Sequence, residues 1–499
     1  MLASRPESMI STSRILRRVA AILVAVVALY VFARLLPPLD LLSASIVIVS
    51  VLLTIQALFT SYLMLYAWEH PDRMAETRGP QTFLSPAHRF TVLLPARHEE
   101  ALIFETIRKL TAVNYPADLV EILVICHADD HGTIAVARRA IEELGAANAG
   151  VLSYSGDRIN KPCGLNAGLR RTTFEVVTIF DAEDDIDPDI FNVVNTTMVR
   201  EDVNIVQAGV QLMNFEDHWF SIHNVLEYFF WFRSRLHFHA RVGMIPLGGN
   251  TVFMRRSLVE QVGAWDEHCL TEDAEIGLQL SAIGERIRVV YDPRHVTREE
   301  TPDSVGAFVR QRTRWNQGFI QVLRKGIWCS MPTTAQRALA VYTLGYPLVH
   351  AIITLTWPLA IVATLALKLP VAVTLIAFLP LYALIFQLLA SVIGAFAFTR
   401  EYGFRMPLTL PFAMIVTFVP FQWLLGLSAI RAAYRELLRR NDWEKTGHLG
   451  AHRRPAGSGA PQLQPAFVDA FEAHQTVPAF LERAASSTNS PTLTHLLKG

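Results

Sequence analysis

The chain has 499 residues, enough for two or three domains, and 45 basic against 45 acidic residues give a formal net charge of zero. Hydrophobic residues make up 51% of it and charged residues 18%, which is too apolar for an ordinary soluble enzyme, so contact with membrane lipid is expected. The lack of a basic excess argues against a nucleic-acid partner, because phosphates are bound by surplus lysine and arginine. Four scattered cysteines without metal-site spacing indicate free thiols in a reducing compartment.

Two long apolar runs dominate the first part of the chain. Several arginines lie in residues 1–18, and the runs Val19–Leu36 and Leu41–Trp68 follow, so residues 19–68 are predicted to form two transmembrane helices. Each run can cross about 30 Å of hydrocarbon at about 1.5 Å per residue. Arginines also follow the second run. The positive-inside rule therefore predicts a multi-pass plasma (inner) membrane protein with its N-terminus and central region in the cytoplasm.

Residues 89–315 change character to short apolar runs that alternate with amphipathic helical segments. This alternation predicts βαβ units and an α/β domain with a mostly parallel sheet. Ligands of such sheets bind beyond the carboxyl ends of the strands, so polar stretches that follow the strands are expected to meet in one crevice. The predicted strands are Phe90–Pro95, Val120–Ile125, Val151–Tyr154 and Val176–Phe180, and the polar stretches are 96–99, 127–130 and 181–185.

The predicted strand that ends at Phe180 runs directly into a cluster of carboxylates. Asp181, Glu183, Asp184 and Asp185 follow it almost without interruption. Closely spaced carboxylates supply the hard oxygen ligands that Mg²⁺ or Mn²⁺ takes. The alternative interpretation is a solvated acidic turn.

A second acidic group, Glu272 and Asp273, precedes a predicted amphipathic helix. The helix macrodipole favours ionised carboxylates at that position, which suits a functional acid. Simple helix capping is the alternative interpretation.

A third stretch combines Gln311, Arg314 and Trp315 after a helix-like segment that starts at Ser304. Their spacing places all three on one helical face. An arginine fork suits phosphate binding, and a tryptophan offers a flat surface to a sugar ring. The alternative is a basic amphipathic helix that lies on lipid headgroups.

Two small-residue stretches are compatible with a bound diphosphate. Lys161–Gly168 places a cation and small residues before another helical segment. Gly248 and Gly249 would let backbone approach a ligand closely, or they form a plain turn.

The C-terminal part of the chain is again apolar, and residues 316–337 are predicted as an interfacial helix region before it. Residues 338–430 are predicted to hold two spans, Ala338–Leu367 and Val371–Phe398, and a third element, Pro407–Ile430. A third full span would leave the following arginines outside, against the positive-inside rule. We therefore interpret the third element as a re-entrant hairpin or a bent interfacial element, with a third span as the alternative.

The remaining residues are polar. Residues 431–451 are predicted to form a cytoplasmic loop that carries Trp443 and Thr446. Residues 452–499 are rich in proline, glycine, serine and alanine and are predicted to be disordered.

In this order, the stretches resemble those of the membrane-embedded inverting glycosyltransferases of family 2, which include cellulose, hyaluronan and chitin synthases. The resemblance covers roughly Arg89–Trp315 and the flanking spans. Gln311, Arg314 and Trp315 look like the family's Q-x-x-R-W motif, and Asp181-Ala182-Glu183 looks like its D-x-D metal motif. The resemblance implies a GT-A (Rossmann-like) domain in the cytoplasm.

The resemblance also implies site roles. Asp273 would be the catalytic base, and Glu272, Gln311 and Trp315 would bind the acceptor. The choice of acid that holds the uracil stays open between Asp129 and Asp130, and the choice of metal ligand stays open among Glu183, Asp184 and Asp185. The donor-binding residues would be Pro95, Ala96, Glu99, Asp129, Asp130, Lys161, Asp181 and Arg314, and the ligands of Mg²⁺ or Mn²⁺ would be Asp181, Glu183 and Asp185.

The implied reaction transfers a sugar from a nucleotide sugar, expected to be UDP-linked, to a growing extracellular polysaccharide. Two alternatives remain: single-sugar transfer to a lipid acceptor, and a noncatalytic export or scaffold subunit. An accessory subunit is left open. Residues 441–448 look like the tryptophan-and-threonine loop that some family members bring back to the nucleotide, or they form an interfacial tryptophan with flanking charges.

Overall fold

The structure is a computed structural model that describes residues 41–71, 78–156, 158–366, 369–442, 444, 447 and 450–453. The predictions for residues 1–18, for the run Val19–Leu36, for Trp443 and Thr446, and for residues 454–499 lie outside the described residues.

Seven strands form a central sheet in the order β3-β2-β1-β4-β7-β5-β8. All neighbours are parallel except β7, which runs antiparallel to both β4 and β5. The prediction of a mostly parallel sheet is therefore confirmed. Two further strands, β6 and β9, pair in parallel beside it. The strands are β1 (Phe90–Ala96), β2 (Val120–His127), β3 (Ala149–Tyr154), β4 (Val176–Ile179), β5 (Ile205–Ala208), β6 (Val210–Leu212), β7 (Val252–Arg255), β8 (Ile287–Val290) and β9 (Thr297–Glu299).

Fourteen helices are assigned within the described residues, and a π-helical turn, Trp231–Arg235, joins the sixth to the seventh. They are α1 (Leu41–Glu69), α2 (Ile103–Thr111), α3 (His131–Glu143), α4 (Lys161–Leu169), α5 (Ile190–Glu201), α6 (Ser221–Phe230), α7 (Leu236–Val242), α8 (Arg256–Gln261), α9 (Glu272–Ala282), α10 (Val305–Lys325), α11 (Thr334–Ala366), α12 (Val371–Ala377), α13 (Leu379–Glu401) and α14 (Leu410–Leu437).

Helices cover both faces of the sheet because the strands are apolar on both sides. Val92 and Leu94 of β1 pack with Ile107 of α2 on one face. Leu93, which points the opposite way, packs with Leu165 of α4 on the other face. This two-sided burial leaves the carboxyl ends of the strands as the open edge at which polar residues collect.

Within the described residues, four helical segments are long and apolar enough to cross a membrane, judged by length and composition. The predicted run Leu41–Trp68 forms α1, and the two following predicted spans form α11 and the pair α12 and α13. The candidate spans are Leu41–Glu69, Thr334–Thr356, Val371–Glu401 and Leu410–Leu437.

The third apolar element is one continuous helix, so its prediction as a re-entrant hairpin is wrong. Helix α14 passes through Pro420 without a reversal, because a proline removes one helical hydrogen bond but does not by itself turn the chain back. Both ends of α14 nevertheless lie against the central domain. Leu410, the first residue of α14, packs against the core of the central domain, and the Gln317 amide donates to the Arg440 carbonyl at 2.8 Å, just after α14.

The prediction of a separate interfacial helix over residues 316–337 is also wrong. Helix α10 continues to Lys325 and ends at Gly326, whose positive φ of 76° favours glycine at a helix end. A short 3₁₀ turn follows at Ile327–Ser330, and α11 begins at Thr334. The Gln311 to Trp315 stretch is therefore in the middle of a long helix.

Candidate active site

A cavity of about 760 Å³ begins at the carboxyl ends of the central strands and extends between α6, α10 and the apolar helices. Pro95 and Ala96 at the end of β1, and Asp181 after β4, line its inner end. Gln387 of α13 and Gln422 of α14 line its outer end. One continuous space therefore joins the sheet edge to the apolar helices.

The acidic loop after β4 places two of its carboxylates on the cavity wall, those of Asp181 and Glu183. Asp184 is buried and holds the loop together, because its carboxylate accepts the Asp181 backbone N–H at 2.8 Å and the Asn250 amide at 2.9 Å. Burial raises the pKa of Asp184 well above its ordinary value, and the neighbouring carboxylate of Glu299 adds to this.

The structure does not bring Asp185, predicted as a metal ligand, together with the other acids on the cavity wall. Its carboxylate pairs with Lys109 of α2, away from the cavity. Its backbone exchanges two hydrogen bonds of 3.0 Å with Arg298, which forms a bridge that turns the side chain outward.

Three other acids line the cavity. Asp181 and Glu183 offer carboxylate oxygens at the sheet edge, and Glu299 at the end of β9 lines the same cavity. The Asn250 amide, which supports Asp184, also donates to Glu299 at 2.5 Å. Oxygen-only donors of this kind fit Mg²⁺ or Mn²⁺ rather than a softer metal.

Lys161 is the first residue of α4, so the predicted helix begins at the lysine and not after it. Asn160 caps the helix by accepting the Cys163 N–H at 3.0 Å, and this cap directs Lys161 into the cavity. The ammonium donates to Asp181 at 2.5 Å and to the Gly249 carbonyl at 2.9 Å. Burial by itself lowers the pKa of Lys161, but the surrounding carboxylates more than offset this and raise it overall.

Asp273 lies in the first turn of α9, on the cavity wall, and its Oδ1 accepts the Ala274 N–H at 2.7 Å. Gly249 faces it: a Cβ atom at that glycine would lie 3.1 Å from Asp273 Oδ2, so the missing side chain leaves space beside the carboxylate. Burial raises the pKa of Asp273, and the Ala274 N–H and Lys161 oppose the rise. The pKa of adjacent Glu272 is raised by burial and by the Asp273 charge.

The three α10 residues, Gln311, Arg314 and Trp315, all face the cavity. Gln311 Oε1 is buried and accepts no hydrogen bond within the described part of the chain, so this cavity-lining residue has an unused acceptor. The Trp315 ring lies between the Arg312 guanidinium, 4.5 Å from its centroid, and the Tyr228 ring at 6.2 Å. This arrangement holds the indole plane in one orientation.

The end of β1 reaches the cavity through Pro95 and Ala96, and the loop after it does so through Glu99. The Glu99 side chain is buried, and its backbone N–H donates to the Thr133 hydroxyl at 3.0 Å. This bond ties the loop to the start of α3.

Asp129 and Asp130, both predicted to contact the donor, lie behind the cavity wall. Asp130 caps α3 and accepts the His98 N–H at 2.7 Å, while Asp129 accepts from Arg97 at 2.8 Å. The wall itself is formed here by His127. Asp130 caps a helix instead of lining the cavity, and sequence spacing does not distinguish a capping carboxylate from a ligand-binding one.

The tail contributes residues that the sequence interpretation missed. His452 and Arg453, the last two described residues, lie against the acidic loop, where Arg453 donates to the Asp184 carbonyl at 2.7 Å. The prediction that the disordered tail begins at residue 452 is therefore wrong for these two residues. The basic residues at this point of a small-residue tail were the available sequence signal.

Residues 86–318 match the family model described as "Glycosyltransferase like family 2". A beta-monoglucosyldiacylglycerol synthase of Nostoc sp. is 26% identical over 254 residues, which are 49% of this chain and 51% of that protein. A poly-beta-1,6-N-acetyl-D-glucosamine synthase of Staphylococcus epidermidis is 23% identical over 267 residues, 53% of this chain and 61% of that protein. The chain thus spans about half the length of the curated relatives it matches.

Among solved structures, a mannosyltransferase from Pyrobaculum calidifontis in complex with GDP-Man and Mn²⁺ superimposes with a TM-score of 0.50 at 18% identity. The superposition covers 78% of this chain and 99% of the other. At this level of identity the similarity shows a shared fold.

Proposed function

We propose that the protein is a membrane-bound, inverting β-glycosyltransferase, because residues 86–318 match the family model described as "Glycosyltransferase like family 2" and the chain shares the fold of a solved mannosyltransferase. The proposed donor is a nucleotide sugar, UDP-linked, and the proposed acceptor is a growing polysaccharide. The observation that carries this proposal is that Asp273 shares one cavity with Lys161, Asp181 and the Gln311 to Trp315 face of α10.

The donor half of the cavity is the sheet edge. Lys161 and Arg314 supply positive charge for a diphosphate, and the glycines at 248 and 249 let it approach the backbone. Asp181 and Glu183 would hold Mg²⁺ or Mn²⁺, which when bound supplies charge against the departing diphosphate. These residues bind and orient the donor with its anomeric carbon toward Asp273.

The proposed chemistry is a single displacement. The Asp273 carboxylate accepts the proton of the acceptor hydroxyl, and the hydroxyl oxygen forms a bond to the anomeric carbon. The bond from that carbon to the diphosphate breaks on the opposite side, and its electron pair leaves with the nucleotide. An α-linked donor therefore yields a β-linked product.

The acceptor half favours a glycan. Gln387, Ser391 and Gln422 bring amide and hydroxyl groups to the cavity wall within otherwise apolar helices, and such groups hydrogen-bond sugar hydroxyls. Trp231 and Trp315 add flat aromatic surfaces. This lining suits a hydroxyl-rich chain better than an acyl chain.

A lipid acceptor is the second candidate. Phe230, Phe418, Phe421 and Leu425 line the same half of the cavity and would contact acyl chains favourably. With such an acceptor the protein would transfer one sugar, and the apolar helices would admit the lipid.

The test is turnover by the purified full-length protein with Mn²⁺ and a panel of radiolabelled UDP-sugars. High-mass product supports the polysaccharide proposal, and label that migrates with lipid supports the second candidate. Asp273→Asn should reduce transfer about 10²- to 10⁴-fold while UDP binding is retained, because it removes the proton acceptor but not the donor contacts. No transfer from any UDP-sugar, or full activity of Asp273→Asn, would contradict the proposal. Glu285→Gln, at the surface after α9, is the control.

A further inference from the structure

A short C-terminal segment, Gly450–Arg453, lies across the outer side of the acidic loop. The Arg453 guanidinium donates to the backbone carbonyls of Ala182 at 3.2 Å and Asp184 at 2.7 Å. The ring of His452 contributes Nε2, which lies 3.0 Å from the carbonyl of Glu183. Three consecutive carbonyls of the loop are thus bonded by two adjacent side chains.

The same guanidinium also reaches α2 and the residue before it. It donates to the Leu102 carbonyl at 3.1 Å and to the Thr106 hydroxyl at 2.7 Å. The Thr106 hydroxyl in turn donates to the Ala182 carbonyl. Arg453 therefore ties the acidic loop to α2, a rigid element of the sheet layer.

The loop needs such partners because its backbone is outside the regular sheet. Strand β4 ends at Ile179, and Ala182 and Asp184 are buried. A buried carbonyl without a hydrogen bond is costly, and a guanidinium can satisfy several at once through its fixed fork of donors. The positive charge also lies beside the loop carboxylates.

Glu444, which precedes this segment by six positions in the sequence, contacts the helices of the site. The Glu444 carboxylate accepts from Arg431 at 2.6 Å and from Arg435 at 3.2 Å, both on α14. Arg314 of α10 donates to the Glu444 carbonyl at 3.1 Å. Residues of the same C-terminal stretch therefore contact the donor-side loop and the α10 helix.

We propose that Arg453 is a positioning residue of the site: it holds the backbone of Ala182–Asp184 so that Asp181 and Glu183 keep their carboxylates on the cavity wall. The inference rests on the proposed function, in which those carboxylates hold the divalent cation. Arg453 acts through the loop backbone and touches neither donor nor acceptor.

The test compares full-length Arg453→Ala and Arg453→Lys with a control, Arg286→Ala. Arg286 is exposed and pairs with Glu201 at 2.6 Å. Calorimetry of Mn²⁺-dependent UDP binding should show about a 10- to 100-fold weaker apparent affinity for Mn²⁺ in Arg453→Ala, the range seen when residues that orient metal ligands are removed. Arg453→Lys should be intermediate, because it keeps the charge but loses the fork. Arg286→Ala should match the wild type.

Hydrogen exchange of residues 181–185 provides a readout independent of activity. Arg453→Ala should exchange faster there than the wild type, and saturating Mn²⁺ should recover most of the turnover number. Wild-type exchange together with wild-type Mn²⁺ affinity would overturn the inference. If Arg453→Ala fails to fold, His452→Ala should change both readouts in the same direction by a smaller factor, because it removes one loop bond, that to the Glu183 carbonyl, together with the ring's 3.8 Å contact with Glu300. Wild-type values would again overturn the inference.

The two proposals fail separately. A wild-type protein that binds UDP with Mn²⁺ but transfers no sugar would contradict the proposed function, while the binding and exchange measurements would still decide the role of Arg453.

Discussion

At the scale of single residues, Asp273, the proposed proton acceptor, lies on the cavity wall. Burial raises its pKa above the ordinary 3.8, while the Ala274 N–H and the charge of Lys161 limit this rise. A carboxylate with a pKa nearer neutrality is a better proton acceptor at physiological pH. The missing side chain at Gly249 leaves space beside this carboxylate.

Asp181 and Asp185 belong to the same loop, but only Asp181 lines the cavity, and this difference leads to a prediction about the cation. Asp181→Ala should raise the Mn²⁺ concentration for half-maximal transfer by about tenfold or more, because it removes a carboxylate from the cavity wall. Asp185→Ala is the matched control from the same loop and should leave that concentration within about twofold, because Asp185 pairs with Lys109 outside the cavity. Titration of turnover with Mn²⁺ measures both. If Asp181→Ala and Asp185→Ala raise this Mn²⁺ concentration equally, the assignment of Asp181 but not Asp185 to the cation site is contradicted.

At the scale of elements, the position of α10 relative to α9 decides whether the acceptor-side residues face the base. Gly318 of α10 lies directly against Thr271, the residue before α9. A Cβ atom at Gly318 would lie 2.8 Å from Thr271 Cβ, and the rest of the threonine side chain would be closer still. The glycine therefore permits a helix contact that no larger residue would allow unchanged.

We expect Gly318→Ala to destabilise the protein by about 1–3 kcal/mol and to reduce transfer, because the extra methyl group forces α10 away from the start of α9. Gly306→Ala on the same helix should be neutral or slightly stabilising, since its new Cβ would meet only the flexible end of Arg310, at 3.4 Å. Thermal unfolding in detergent and initial rates check both variants. If the two alanines behave alike, the close contact at Gly318 has no special role.

At the scale of the whole molecule, the chain contacts the central domain at the end of α14. Gln317 of α10 donates to the Arg440 carbonyl at 2.8 Å, and Arg435 Nε donates to the Gln317 side-chain oxygen at 3.1 Å. Arg324 pairs with Glu436 at 2.5 Å. The end of α14 is therefore bound to the same domain that holds the acids.

This arrangement predicts the sidedness of the protein in a membrane. In a variant with the exposed Cys329 replaced by serine and the three buried cysteines kept, a cysteine introduced at Asp442 and one introduced at Arg286 should be labelled from the same side in oriented vesicles, because both positions belong to the central-domain side. A cysteine at Val371, which follows α11, should be labelled from the opposite side, since α11 leads away from the domain. Labelling of Asp442→Cys together with Val371→Cys would contradict the proposed topology.

Much of the site could be predicted from the sequence because its parts are local patterns. The run before Asp181 does not alternate between apolar and polar residues, which is typical of a strand buried on both faces. The structure forms β4 there. The spacing of Gln311, Arg314 and Trp315 depends only on helical periodicity, and all three line the cavity. The mostly parallel sheet and the apolar helices follow from similar short-range signals.

Single residues in irregular segments could not be predicted in this way. Asp130 and Asp129 have the composition of a ligand-binding pair, yet Asp130 caps a helix. A capping carboxylate and a binding carboxylate look the same in a linear sequence. Their difference is the direction of one side chain, which the neighbouring backbone determines.

The sequence by itself determined the strand and helix pattern, the acidic strand end and the order of the motifs, because hydrophobic periodicity and residue chemistry act over a few neighbours. Only the tertiary structure decided which acids face the cavity and what holds them. Asp185 is turned away by a backbone bridge to Arg298 and by Lys109, and the Ala182–Asp184 backbone is held by Arg453. These partners lie far apart along the chain, so folding alone brings them together.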